Sequence, residues 1–287
     1  MNLDEFKYSK GKKFNYKEFD TEAKALNLNK EIIQAASVLN LQEMGKLQDK
    51  FYAYGKESLL LIFQAMDAGG KDGAVKHVMS GVNPQGVQVN NFKQPSKEEM
   101  AHDYLWRCIK KLPEKGIIGI FNRSYYEDVL ITKVHSLYKD FNLPERCKKD
   151  IIEKRYKHIE NFEKYLTENG THVLKFFFCI SKDEQKRRFK KRIDNKNKNW
   201  KLSESDIKER ALWDDYMRAY EDAINKTSSS YAPWYVIPAD KKWFARFFVS
   251  EIILKTMRAI NPQYPKTNKD TEKLIQSCKK ILENEKN

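Results

Sequence analysis

The chain has 287 residues, 40% of them hydrophobic, and carries 54 Lys and Arg against 40 Asp and Glu, a formal net charge of +14. That length and apolar content, with 16 Phe and 15 Tyr, suffice for a sizeable core and exclude a disordered chain. The charge selects polyanionic partners (nucleic acid, an anionic membrane, nucleotides or inorganic phosphate chains), while no apolar run approaches the roughly 18 residues a bilayer-spanning helix needs.

The first residues, Met1 to Lys7, lack the basic-then-apolar order of a secretory signal. The four cysteines (Cys108, Cys147, Cys179 and Cys278) are scattered with no metal-ligand spacing, as in a reducing compartment. A cytoplasmic location is therefore expected. A helix is expected over 29–54, followed by an apolar run at 58–66 that reads as a strand. That run breaks into Asp67-Ala68-Gly69-Gly70-Lys71-Asp72-Gly73 and then into a helical stretch. Strand, glycine turn, lysine, helix is the order that turns backbone N–H groups and a helix N-terminus toward a phosphate. Ala65 replaces the first glycine of the strict P-loop pattern, and Asp72 stands where Ser or Thr would hold magnesium, so a plain strand-to-helix turn stays open as an alternative.

Further apolar segments at 86–92, 116–122, 172–180 and 234–238 read as strands, giving five in all. Most are continuously apolar, which suits a parallel sheet covered on both faces. Helical patterns at 97–112 and 145–169 separate them, and 241–260 is an amphipathic helix closed by Asn261-Pro262. The expectation is a single α/β domain, a three-layer α/β/α sandwich with a five-stranded parallel sheet. Residues 1–28 would form an N-terminal extension, and the polar tail 266–287 would fray.

At the end of the third strand stand Asn122 and Arg123, followed by Glu127 and Asp128. A P-loop enzyme places an acid that helps hold magnesium at this strand end, and here the position falls to the uncharged amide Asn122. Arg123 offers bidentate phosphate recognition, although a strand followed by a polar cap would read the same way. Residues 182–201 hold ten Lys and Arg against three acids. For most of them a solvated helix face is the simpler reading. Arg188 and Arg192, four apart, would project together from a lid and neutralise charge on a transferred phosphoryl group. Trp200 would pack the lid on the core or contact a nucleobase. The five histidines are unclustered and receive no role.

In combination, the segments QAMDAGGKDGAVKHV, NNFKQPSKEEMAHDYLWR, GIFNRSYYEDVLITKVH and RRFKKRIDNKNKNWKLSESDIKER resemble the type 2 polyphosphate kinases over about residues 29–260. The resemblance implies a P-loop kinase-like fold with a helical lid over about 182–215. It also implies Mg²⁺ dependence, with Mn²⁺ an alternative, and reversible phosphoryl transfer from inorganic polyphosphate to nucleotides. FNRS followed by YYEDVL is similar to the class III branch, whose members accept AMP and ADP and give ADP and ATP.

By the same resemblance Asp67 and Asn122 would hold metal, and Lys71 with Ala68, Gly69, Gly70, Asp72 and Gly73 would cradle phosphate. Arg123, Arg188 and Arg192 would clamp the chain, helped by Lys76, Lys133, Lys198 and Lys201. Asn91, Phe92, Arg107 and Glu127 would meet the nucleotide. Asn122 stands where many members carry Asp, and Lys133 where Arg is common. A homo-oligomer, tetramer or dimer, is implied, with no nucleic-acid or membrane partner. An ATP-dependent nucleotide kinase, a class I-like enzyme preferring nucleoside diphosphates, and a nucleic-acid binder using the same basic surface remain competing readings.

Overall fold

The computed structural model describes residues 3–201 and 203–285, with the side chains of Lys198 and Lys201 outside the description. Its strands are β1 (Lys7–Tyr8), β2 (Ser58–Ala65), β3 (Val87–Asn91), β4 (Ile118–Asn122), β5 (Thr171–Cys179) and β6 (Trp234–Pro238). They form one sheet in the order β1-β6-β5-β2-β4-β3. The five expected strands all pair in parallel, with Leu59 opposite Ile118 on one side of β2 and His172 on the other. The sheet nevertheless has six strands, because β1 adds antiparallel to β6 through Lys7–Tyr235 and Tyr8–Trp234. Two residues are too few to show a strand period, which is why this edge escapes a reading of the pattern. Every residue of β2 and β6 is buried, as continuous apolar runs in a doubly covered sheet require.

The helices are α1 (Lys30–Tyr54), α2 (Lys71–Met79), α3 (Lys97–Met100), α4 (Trp106–Ile109), α5 (Ile131–Val134), α6 (Glu145–Lys148), α7 (Ile151–Glu168), α8 (Lys182–Ile193), α9 (Glu204–Ala211), α10 (Trp213–Thr227), α11 (Lys242–Ile260) and α12 (Lys269–Asn284). Helix α1 starts on an Asn29 side-chain cap and ends at Gly55 in the left-handed region. It packs on α11, which also contacts α2, while α7 contacts both β5 and α10.

Two expected helices are broken. The 97–112 pattern divides because the Asp103 carboxylate accepts from the Leu105 N–H at 2.9 Å, a local turn that competes with helix. The 145–169 pattern divides at Asp150, whose φ is 52°. The tail forms α12 with every residue exposed.

Beneath β4 and β5 lies a buried polar cluster. Lys175 Nζ donates to Glu163 Oε2 at 2.5 Å, to Tyr126 Oη at 3.1 Å and to the Thr227 carbonyl at 2.8 Å. Tyr125 and Tyr126 both donate to Glu163 Oε1. Burial pushes Glu163 up and Lys175 down, and their mutual attraction opposes both shifts. Both tyrosines belong to the segment after β4, so the pair ties that segment to the core. Lys175→Met should leave Glu163 buried without its counter-charge and cost about 3–5 kcal/mol in a urea titration. A loss under 1 kcal/mol would contradict this account of the pair.

Candidate active site

The parallel strands β2, β4 and β5 end at one edge of the sheet, and the loops that leave them form a crevice there. From β2 the chain turns through Asp67 to Gly70 into α2. Ala68 has φ 61° and Gly70 φ 102°, both left-handed. At Gly69 any side chain is excluded, because a Cβ would sit 2.5 Å from Ala65 Cβ and 2.8 Å from the Met66 carbonyl. Helix α2 begins at Lys71 with Gly70 as N-cap and no side-chain cap. The N–H groups of its first turn are thus left for an external acceptor, and the helix dipole favours an anion there.

Arg188 holds this turn from behind. Its Nη1 donates to the Ala68 and Gly69 carbonyls at 2.9 and 2.8 Å, and Nη2 to the Ala239 and Asp240 carbonyls at 2.5 and 3.2 Å. Nε donates to Glu184 Oε1 at 2.6 Å, so all five N–H groups of the guanidinium are engaged and the side chain is buried. This corrects the expectation of a lid arginine aimed at substrate. A charge run does not reveal which face of its helix turns inward. Gln185, one turn of α8 away and unremarked in the sequence, donates to the Asp67 carbonyl at 2.9 Å and receives from Arg210 at 2.8 Å.

Asp67, Lys71, Arg123 and Glu127 do converge. Arg123, at φ 64°, places Nη2 3.3 Å from Asp67 Oδ1. Burial lowers the Arg123 pKa, but Glu127, Asp67 and Asp72 more than offset it and the net shift is upward. Burial raises Glu127, opposed by Arg123 and Lys71. With the Gln64 amide turned to face it, nitrogen outward, Glu127 accepts from that nitrogen at 2.9 Å. Lys71 is pulled down by burial and by Arg123, against the pull of Asp72, Asp67 and Glu127. The crevice therefore brings two basic side chains together with three acidic ones.

Asn122 donates to Asp72 Oδ1 at 2.9 Å and to Asn91 Oδ1 at 2.7 Å, and its own Oδ1 is buried with no partner among the described residues. An orphaned carbonyl oxygen beside a carboxylate suits a hard divalent cation or its coordinated water. No cluster of three or more His, Cys, Asp or Glu at metal-holding spacing occurs among the described residues. Any cation here would complete its shell with phosphate oxygens and water, as magnesium commonly does. The residues fit such an ion.

Other expected contacts lie elsewhere. Phe92 is buried edge-on to Phe121 at 4.8 Å, and Arg107 stacks over it at 5.2 Å while donating to the Lys93 carbonyl, so both serve packing. Lys133 pairs with Asp222. Lys76 is exposed on α2. Arg192 donates to Asp206 Oδ2 at 3.2 Å, and that carboxylate, raised by burial, also feels Asp67 and Arg123, so α9 borders the crevice. Trp200 is 78% exposed rather than packed on the core. The side chains of Lys198 and Lys201 lie outside the described residues.

Two measurements follow from this geometry. Arg188→Gln should lower stability by about 2–4 kcal/mol in a denaturant titration, since charge-assisted bonds to buried carbonyls contribute roughly 1.5–3 kcal/mol and their loss orphans the acceptors. A change below 0.5 kcal/mol would contradict the anchoring role. Asp128, raised by burial to about 6 against the opposing Arg155 and Arg107, holds its proton more tightly folded than unfolded. Its contribution to stability is full below pH 4 and is lost as pH rises through 6. Relative to Asp128→Asn, the wild type should lose roughly 1–3 kcal/mol across that window, and parallel curves would contradict the shift.

Residues 27–265 match the polyphosphate kinase 2 family. The chain is 45% identical over 282 residues to the ADP-polyphosphate phosphotransferase of Rhodopseudomonas palustris, covering 97% of this chain and 98% of that one. It is 47% identical over 243 residues to the AMP/ADP-polyphosphate phosphotransferase of Meiothermus ruber, covering 85% and 87%. The fold superposes on the polyphosphate kinase 2 crystal structure from Arthrobacter aurescens TC1 with a TM-score of 0.86, at 40% identity and over 96% and 95% of the two chains.

Proposed function

The chain belongs to the polyphosphate kinase 2 family, and from that premise we propose that it transfers phosphoryl groups from inorganic polyphosphate to AMP and ADP, giving ADP and ATP. The observation that carries the reading is the uncapped first turn of α2 with Lys71 beside it, facing Arg123 across one crevice. The related proteins are named for ADP alone in one case and for AMP and ADP in the other, which supports both acceptors.

In the reaction a terminal oxygen of the nucleotide attacks the terminal phosphorus of the chain. The P–O–P bond to the next unit breaks, and the chain leaves one unit shorter with the charge on its new end. One anhydride replaces another whether AMP or ADP is the acceptor, so the step runs in both directions. The work of the protein is alignment and charge. Amides of the first turn of α2 hold equatorial oxygens, Lys71 moves with the transferred group, and Arg123 binds the facing phosphate. Glu127 and Asp67 hold Arg123 charged and oriented. Asp67, Asp72 and the Asn122 carbonyl would hold Mg²⁺, or Mn²⁺ in its place, which when bound neutralises phosphate charge. Helices α8 and α9 would serve as a lid carrying Arg192. No described helix is long and apolar enough to cross a membrane. The family resemblance further suggests a cytoplasmic enzyme working as a homo-oligomer.

With polyphosphate as sole donor and Mg²⁺ present, AMP should yield ADP and then ATP. ADP consumed without any AMP turnover would restrict the assignment to the diphosphate. Lys71→Ala should lower kcat by about 10²–10³, the usual effect of removing one charge-stabilising donor. A nucleic-acid binder would barely register that change among its many phosphate contacts. Retained turnover in Lys71→Ala would contradict the proposed site.

A further inference from the structure

Arg246 sits on α11, inside the aromatic run Trp243-Phe244-Ala245-Arg246-Phe247-Phe248, where the pattern reads as core. Its side chain instead reaches the phosphate loop: Nη2 lies 3.5 Å from the point a Cβ would occupy on Gly73, in the first turn of α2. Its charge is felt at His77, one turn further along α2, whose pKa is lowered by burial first and by Arg246 second. Arg188 has all five N–H groups engaged, and Arg123 faces Asp67. Arg246 is half-buried and makes no hydrogen bond or ion pair with any described residue.

The basic groups around it form a row. Lys76 follows Gly73 by three residues on α2, and Lys242 precedes Arg246 by four on α11, so each projects from the same side as its neighbour; both are exposed. The row runs from α2 onto α11, which packs against it, whereas Asn91, Asn122 and Arg123 stand at the ends of β3 and β4. A single phosphate at the loop cannot reach along α11. A polymer of phosphate units can, with its end at Lys71 and its following units beside Arg246.

Resting on the function proposed above, we infer that Arg246 binds units of the inorganic phosphate chain behind the one being transferred, and that the nucleotide lies at the ends of β3 and β4, away from α11. The guanidinium supplies bidentate donors beside the open amides of α2, a geometry that lysine reproduces only in charge.

The test is steady-state kinetics with polyphosphate and ADP varied separately. Arg246→Gln should raise the polyphosphate KM about tenfold, the equivalent of one charge-assisted contact, while the ADP KM and the kcat at saturation change less than twofold. The plot of log kcat/KM for polyphosphate against log salt should become shallower by about one charge. A polyphosphate KM within twofold of wild type, or an ADP KM raised as much as that for polyphosphate, overturns the inference. Should Arg246→Gln lower the unfolding midpoint, Arg246→Lys decides: a threefold or larger rise in polyphosphate KM with the ADP KM unchanged supports it, and an unchanged value overturns it. Wild-type protein inactive with polyphosphate as sole donor would contradict the proposed function itself, before any variant is measured.

Discussion

One buried guanidinium fixes the shape on which the site depends. Arg188 joins the glycine turn, through the Ala68 and Gly69 carbonyls, to the chain leaving β6, through Ala239 and Asp240. The turn includes Ala68 in a left-handed conformation, which costs of order 1–3 kcal/mol and persists only where surrounding contacts over-determine it. Arg188 supplies those contacts. With the carbonyls drawn back toward α8, the N–H groups of the first turn of α2 face the crevice without a side-chain cap. An anion site of this kind is present before the anion, so binding needs little reorganisation of the backbone.

The charges in front of the turn follow a second constraint. Lys71 and Arg123 are close enough to repel, and each is desolvated. Three acidic side chains, Asp67, Asp72 and Glu127, oppose that loss of charge, and the net shift is upward for Arg123 and downward for Lys71. Glu127 in turn stands on a segment whose two tyrosines are bonded to the buried Glu163–Lys175 pair. The crevice thus offers Lys71 and Arg123 to a phosphate from among acidic side chains that hold them in place. Arg123, at φ 64°, is a further strained residue at the crevice, and its N–H donates to the Phe63 carbonyl.

Much of this was legible in the residues themselves. Continuous apolar runs located β2, β4, β5 and β6 to within two residues at each end, because a doubly covered sheet leaves no alternation to misread, while β3 is an alternating, partly exposed edge strand. The glycine turn was legible for a steric reason, since Gly69 tolerates no Cβ and Gly70 needs its positive φ. What escaped depends on contacts between distant segments. The sequence presents Arg188 and Arg192 as equivalent members of a charge run, yet one is buried against the loop and the other bonds Asp206. Lys133 meets Asp222 across 89 positions, and Arg107 lies over Phe92, pairings no local pattern reveals. Arg246 was hidden by the opposite effect, a cation in a run so aromatic that it reads as packing.

The central claim is that the open first turn of α2 receives the terminal phosphate of an inorganic chain. A crystal structure of the protein with a polyphosphate of defined length tests it most directly. The account predicts a terminal phosphate within hydrogen-bond distance of the Lys71, Asp72 and Gly73 amides and of Lys71 Nζ. Phosphate density confined to the outer basic face of α8, with none at that turn, would contradict it.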